Sequence, residues 1–198
     1  GTFTPESFVE RFNYDLCNDL GNLLNRTIGM INKYFNGVVT EYINPETTIG
    51  ENINLFELNS KVEKFSDAII HEVENLFDTY HIANAITQTW ELVSRTNKYI
   101  DETAPWILAK EEKTEELKSV MYHLVENLRR IAILIAPYMK HTSEKILNQL
   151  SIPENLQTWD SLKEYDKLKD LKVTEKPEVL FARLDSKEEV EIIKEMMK

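Results

Sequence analysis

The chain predicts an all-α protein: a helical bundle of about five main helices, with a C-terminal tail and a short terminal helix. Three observations support that class. Five glycines and six prolines in 198 residues leave little material for the many turns of a β architecture. Apolar residues recur at three- and four-residue intervals over long stretches. At 42%, hydrophobic residues suffice for a substantial core.

The first helix is the clearest. Thr4 is suited to cap it, Pro5 to take its first position, and Glu6 to sit at its positive end. Phe8, Phe12, Leu16, Leu20, Leu23, Leu24, Ile31, Tyr34 and Phe35 make one broad apolar face, and Asn36-Gly37 ends the helix. Residues 37–54, with Asn44-Pro45 and Gly50, read as a polar, irregular connection. A second helix is expected over 55–79, with Phe56, Val62, Phe65, Ile69, Val73 and Leu76 or Phe77 inward. Tyr80-His81 separates it from a third over 81–102, built on Ile82, Ala85, Ile86, Thr89, Leu92, Val93 and Ile100. That helix stops at Thr103-Ala104-Pro105, because proline disfavours helical geometry in the residue before it.

A fourth helix is expected over 111–135. Pro137 divides it from a fifth over 137–150, which Ser151-Ile152-Pro153 terminates. The chain then changes character. A short turn or helix near 159–165 precedes a Lys/Asp-alternating stretch, an extended Val179-Leu180-Phe181, and a charged helix over 186–197 capped by Ser186. The expected organisation is a helical domain over 1–152 and a tail over 153–198.

The lone cysteine, Cys17, rules out an internal disulfide and a cysteine-built zinc site, and fits a reducing, cytoplasmic setting. No apolar run approaches the ~18 residues of a membrane span. The N-terminus has neither the basic nor the hydrophobic region of a secretory signal. Its abrupt Gly-Thr-Phe start, close to a helix start, reads as a piece of a longer protein. The net charge of −11 opposes binding by general phosphate neutralisation. Residues 1–60 hold three basic side chains, Arg11, Arg26 and Lys33, against eight acidic ones. Any nucleic-acid contact there must depend on a few placed groups and on stacking.

No catalytic constellation is visible. There is no glycine-rich phosphate loop, nucleophile elbow or His-Glu-x-x-His motif. His71, His81, His123 and His141 lack partners at metal-ligand spacing and read as surface or core-edge histidines. Asn18, Asn22 and Arg26 are less ordinary. Their four-residue spacing sets them opposite the apolar face, and asparagine is a poor helix former. Amides and a guanidinium make the paired, directional hydrogen bonds that suit base edges, although exposed helix positions are polar in any case. Arg26 could equally pair with Asp19 or Glu102. Gly29, on the same face, is costly in mid-helix unless something approaches the backbone closely. Trp106, after Pro105, suits either a core anchor or a stacking platform for an unpaired base. Trp90 reads as core and Trp159 as an anchor for the tail.

Two runs carry a family resemblance. Asp15-Leu16-Cys17-Asn18-Asp19-Leu20-Gly21-Asn22-Leu23-Leu24-Asn25-Arg26-Thr27, followed by Met30-Ile31-Asn32-Lys33-Tyr34-Phe35, resembles the first helix of the anticodon-binding domain of methionyl-tRNA synthetases. Asn97-Lys98-Tyr99-Ile100-Asp101-Glu102-Thr103-Ala104-Pro105-Trp106 resembles the family's segment ending in Pro-Trp. The likeness extends across most of 5–150. Lys176 to Asp185 resembles the C-terminal return segment more loosely, with Ala182 where proline is common. The Asn-Asp-Leu-Gly-Asn run is partly shared with the class I synthetases for cysteine, isoleucine, leucine and valine, and Ala-Pro-Trp favours methionine.

The resemblance implies a class I anticodon-binding bundle that reads the CAU anticodon loop of tRNA(Met). In it Asn22 and Arg26 would bond anticodon bases or backbone, Asn18 would support them, and Trp106, positioned by Pro105, would stack on the first anticodon base. It implies no membrane or DNA partner, and no cofactor or metal in this segment. ATP with magnesium, any zinc, and the catalytic domain that attaches methionine to tRNA would lie N-terminal to Gly1, with the tail packing back toward that domain. The competing readings are an anticodon domain for one of the other four amino acids, or a helical interaction domain without an RNA role.

Overall fold

The computed structural model describes residues 4, 7, 10, 11, 14, 16–178, 180 and 191–197. Pro5, Glu6, Phe8, Phe12, Val179, Phe181 and Ser186, which carry sequence expectations, lie outside them. The order along the chain is α1 (Gly21–Phe35), β1 (Val38–Val39), β2 (Thr48–Ile49), β3 (Ile53–Asn54), α2 (Leu55–Asp78), α3 (Ile82–Thr103), α4 (Pro105–Lys110), α5 (Thr114–Ile135), α6 (Lys140–Gln149), 3-10 turns at Glu154–Leu156 and Trp159–Lys163, and β4 (Leu171–Lys172). Five main helices and one short one, α4, therefore build the described bundle.

Helical geometry reaches back before α1 through Ser7, Glu10, Arg11 and Tyr14. Thr4 caps that segment: the Ser7 N–H donates to Thr4 Oγ1 at 3.1 Å and the Thr4 N–H donates to Ser7 Oγ at 3.2 Å. Between this segment and α1, Leu16–Leu20 form a π turn, which periodicity alone does not reveal. Asn36 takes left-handed geometry to end α1. Gly37 follows at φ 83°, a left-handed conformation that favours glycine, and an added Cβ would lie 2.8 Å from Lys172 Nζ and 2.9 Å from Asn32 Oδ1, so those side chains would have to move as well.

The connection from 37 to 54 is more ordered than its composition suggests. β2 and β3 form a hairpin, and β1 pairs antiparallel with β4 in the register Val38↔Lys172, Val39↔Leu171. The buried seam of α2 runs through Leu55, Asn59, Val62, Ser66, Ile69 and Val73. Phe56, expected inward, is 40% exposed because Leu55 occupies the core position beside it. α3 is expected to stop because of Pro105, yet it runs through Thr103 and is ended by Ala104 at φ 43°. Pro105 then opens α4 at its first position, where a missing N–H costs nothing. The expected fourth helix starts at Thr114 rather than 111, since Glu112 adopts φ 55° in a tight turn. The fifth starts at Lys140, after Pro137.

Helix α5 is the centre of the bundle and is buried on every side from Ser119 to Ile135. It packs against α1, α2, α3, α4 and α6. Its polar side chains are therefore enclosed and need partners. His123, expected at the surface or core edge, is wholly buried. Its Nδ1 donates to Ser119 O at 2.7 Å, and its Nε2 lies 3.0 Å from Glu63 Oε1. Tyr42 Oη donates to the same Glu63 oxygen at 2.6 Å. Asn59 donates to Asn44 Oδ1 and Ser119 Oγ, both at 3.0 Å, and accepts from Tyr99 Oη. These bonds tie the 37–54 connection to α2, α3 and α5.

Burial acts to raise the Glu63 carboxyl. Hydrogen bonds from His123 and Tyr42, with the charges of His123 and Arg130, outweigh it and hold the group below the ordinary carboxylate range. A depressed folded-state value contributes stability that is present above the unfolded carboxyl's pKa of ~4.3 and is lost as pH falls through the folded value. Glu63→Gln is expected to flatten this part of the acid limb. Urea denaturation of both proteins between pH 6 and pH 3 measures it, and parallel acid limbs would refute the assignment.

The described chain from 168 to 174 lies on the bundle. Asn32 Nδ2 donates to Thr174 O at 2.9 Å, Thr174 N donates to Gln149 O at 2.8 Å, and Leu168, Leu171 and Val173 are buried in the common core. Trp159 is the anchor its position suggested. Its Nε1 donates to Glu74 Oε1 at 2.9 Å, and its ring meets Phe77 edge-on at 6.1 Å. Trp90 is partly buried against the core.

Candidate nucleic-acid interface

The apolar face of α1 (Leu23, Leu24, Thr27, Ile28, Ile31) is buried against the bundle, which turns its other face outward. Asn18, Asn22, Asn25, Arg26 and Gly29 are exposed on that outward side. The π turn carries Asn18 and hands directly to α1 with Asn22, so the two amides are presented from a locally widened helix.

The outward face is not an isolated ridge. It forms one wall of an open groove of about 390 Å³, lined on one side by Asn18, Asp19, Asn22 and Arg26 and on the other by Ser94, Asn97, Lys98 and Asp101 of α3. Asn97 Nδ2 donates to the Asp19 carbonyl at 3.3 Å and ties α3 to the π turn. Arg26 Nη2 lies 3.8 Å from Asp101 Oδ1, and both side chains are largely solvated. The partner is thus Asp101 rather than Asp19 or Glu102. Glu102 is occupied by Arg95 at 2.6 Å. An exposed pair at 3.8 Å is worth little, so Arg26 can exchange it for a ligand at small cost.

Two cations and two carboxylates face the groove, so it carries no strong positive field. Its directional groups are amides, a hydroxyl, a guanidinium and an ammonium. That inventory suits hydrogen-bonding edges more than bulk phosphate attraction.

Trp106 is the second residue of α4. The sequence places it at the end of a helix, but it stands at the start of a new one, held outward by the left-handed Ala104 and a buried Pro105. Trp106 is 46% exposed and Ile107 43%, so together they offer an apolar face to solvent. The groove lining unites Asn18, Asn22 and Arg26, and neither Pro105 nor Trp106 belongs to it. Trp106 lies at the next corner, five residues beyond Asp101. The α3 wall of Ser94, Asn97, Lys98 and Asp101 is the part that periodicity missed. Asn97, Lys98 and Asp101 stand in the same run as Pro105-Trp106, but only the packing of α1 beside α3 assigns them to the groove. Among the described residues, no group of three or more His, Cys, Asp or Glu could hold a metal ion. No helix among them is long and apolar enough to cross a membrane.

A family model for the anticodon binding domain of methionyl tRNA ligase matches residues 52–196. The chain is 48% identical over 199 residues to the methionine–tRNA ligase of Bacillus subtilis (strain 168), across 100% of this chain and 28% of that protein. It is 48% identical over 201 residues to the Listeria innocua serovar 6a ligase, across 100% of this chain and 29% of that one. It therefore spans under a third of the length of these relatives. Among solved structures, the free form of Mycobacterium tuberculosis methionyl-tRNA synthetase matches with a TM-score of 0.75 at 26% identity, covering 91% of this chain and 35% of that one. The same enzyme in complex with methionyl-adenylate matches at 0.74, with 26% identity, covering 92% of this chain and 34% of that one. A match over most of its length, on a helical bundle with a groove of polar side chains, makes this chain a member of the methionyl-tRNA ligase anticodon-binding domain family.

Proposed function

We propose that this domain reads the CAU anticodon of tRNA(Met) for a methionine–tRNA ligase, with Asn18, Asn22, Arg26, Pro105 and Trp106 as its RNA-binding residues. The observation that carries the reading is the groove between α1 and α3, where two exposed amides and a weakly paired guanidinium face one opening. Unstacked loop bases are recognised through hydrogen bonds to their edges and through stacking on exposed rings. Asn22 and Arg26 supply the first, supported by Asn18, and Trp106 on its Pro105 corner supplies the second. Such recognition needs no net positive charge, which accords with a chain at −11.

The ATP-dependent attachment of methionine, with magnesium and any zinc, belongs on this reading to the part of the ligase outside this chain. The same reading places the protein in the cytoplasm, as its single cysteine suits. It treats residues 153–198 as a tail that returns from the helical domain over 1–152 toward the catalytic domain. Val173 and Thr174 bond Gly37 and the end of α6, which accords with a tail that runs back along the helical domain.

A stem-loop panel tests the reading. The CAU loop is expected to bind at least ~10-fold more tightly than loops altered at the first anticodon base, or loops carrying cysteine, isoleucine, leucine or valine anticodons. Arg26→Ala should remove most of that margin. Equal affinity across the panel would sink the anticodon reading, and preference for another of these anticodons would move it to that amino acid.

A further inference from the structure

We infer that Gly29 is a contact point for the RNA, where the strand approaches the α1 backbone too closely for any side chain. The inference rests on the anticodon reading above and adds a residue to it. Gly29 sits within α1, six residues before its end, where glycine is among the worst helix formers. Such a residue usually has an internal reason, either a left-handed conformation or a neighbour that a Cβ would strike. Gly37 illustrates both. Gly29 has neither: its φ is not in the left-handed region, and a Cβ built on it meets nothing within 4 Å among the described residues. The residue is exposed, so the described residues offer no reason for the cost.

Its place does offer one. Asp19 meets Asn97 and Arg26 meets Asp101, so α1 and α3 run in the same direction beside the groove. One turn beyond Arg26 on α1 lies Gly29. One turn beyond Asp101 on α3 lies the Ala104-Pro105 corner that carries Trp106. Gly29 is therefore on the side of Arg26 that faces the tryptophan. A side chain there would lean toward the N-terminus of the helix and cover the turn holding Asn25 and Arg26. Glycine leaves that flank open. A base or ribose passing from the groove toward Trp106 can then lie flat on the backbone and touch the guanidinium from the side. Glycine adds shape to the interface, with no hydrogen bond of its own required.

Stability and binding should move in opposite directions in Gly29→Ala, which separates this role from a structural one. Alanine favours the helix and meets open space, so Tm is expected to rise by about 2–4 °C. Affinity for the CAU stem-loop is expected to fall roughly 10-fold from the added methyl, and further in Gly29→Leu. Wild type and Arg26→Ala are measured beside them. Undiminished binding by Gly29→Ala, while Arg26→Ala loses it, would overturn the contact and leave the anticodon reading standing. If wild type and Arg26→Ala bind alike, the reading of this face fails and the contact with it.

Discussion

Trp106→Ala is expected to lower affinity for the CAU stem-loop by roughly 5- to 150-fold, since one base stacked on an aromatic ring is worth ~1–3 kcal/mol. The fold should hardly notice. The residue is 46% exposed, and the preceding Pro105, which sets the course of the chain, is buried and unchanged. Trp106→Phe keeps a smaller π face and should retain part of the affinity, whereas Trp106→Leu, apolar but not aromatic, should behave like alanine. Fluorescence anisotropy of a labelled stem-loop, with thermal denaturation of each variant alongside, reads both quantities. Wild-type affinity in a folded Trp106→Ala protein would remove the ring from the interface.

Arg129→Met is expected to destabilise the protein by about 3–5 kcal/mol, the cost of removing the closer partner of a buried carboxyl and leaving it the more distant Arg130 Nε at 3.7 Å. Total stability of a domain is ~5–15 kcal/mol, so this one change should remove a large fraction of it. Arg129 is 1% exposed. Its guanidinium donates to Glu126 from Nε at 3.1 Å and again from Nη2. It also donates to the carbonyls of Leu156 at 2.8 Å and Glu164 at 2.8 Å, and to Ser161 Oγ at 2.9 Å. One side chain thereby neutralises a buried carboxylate and caps the irregular segment after α6. Burial pushes the Glu126 carboxyl up, against the pull of Arg129 and Arg130.

Arg129→Lys keeps the charge but not the planar fork, so it should lose stability as well. Adding Glu126→Gln to Arg129→Met removes the stranded charge and should restore part of the loss. Chemical denaturation of the single and double variants measures the coupling. A double variant no more stable than Arg129→Met would show that the lost carbonyl contacts, rather than Glu126, carry the cost.

Much of the bundle is legible in the sequence because helix formation is largely local. The periodic apolar positions of α1 and α3, the stop at Asn36-Gly37 and the break at Tyr80-His81 follow from spacing and turn chemistry. Some expectations missed for local reasons, and others because a distant partner intervened. β1 exists because Leu171 and Lys172 come to Val38 and Val39 from the far end of the chain. Phe56 points outward because Leu55 holds the seam. His123, Arg129 and Arg130 are polar residues on a helix buried all round, and partners such as Glu63, Glu126, Asp67 and carbonyls from the later chain make that tolerable.

The interface divides in the same way. That Asn18, Asn22 and Arg26 share a face, and that Pro105-Trp106 marks a corner, follows from 3.6-residue geometry and the chemistry of proline, which the sequence carries unaided. That the face becomes one wall of a groove, with Asn97, Lys98 and Asp101 opposite and Asp101 as the partner of Arg26, depends on α1 lying beside α3. Gly29 shows the difference most plainly. Its propensity cost is visible in the sequence, but the open space around it among the described residues is visible only once the helix is packed. Local pattern determines which side chains point the same way. Packing across long separations decides what faces them, because only the folded core brings residues many turns apart into contact.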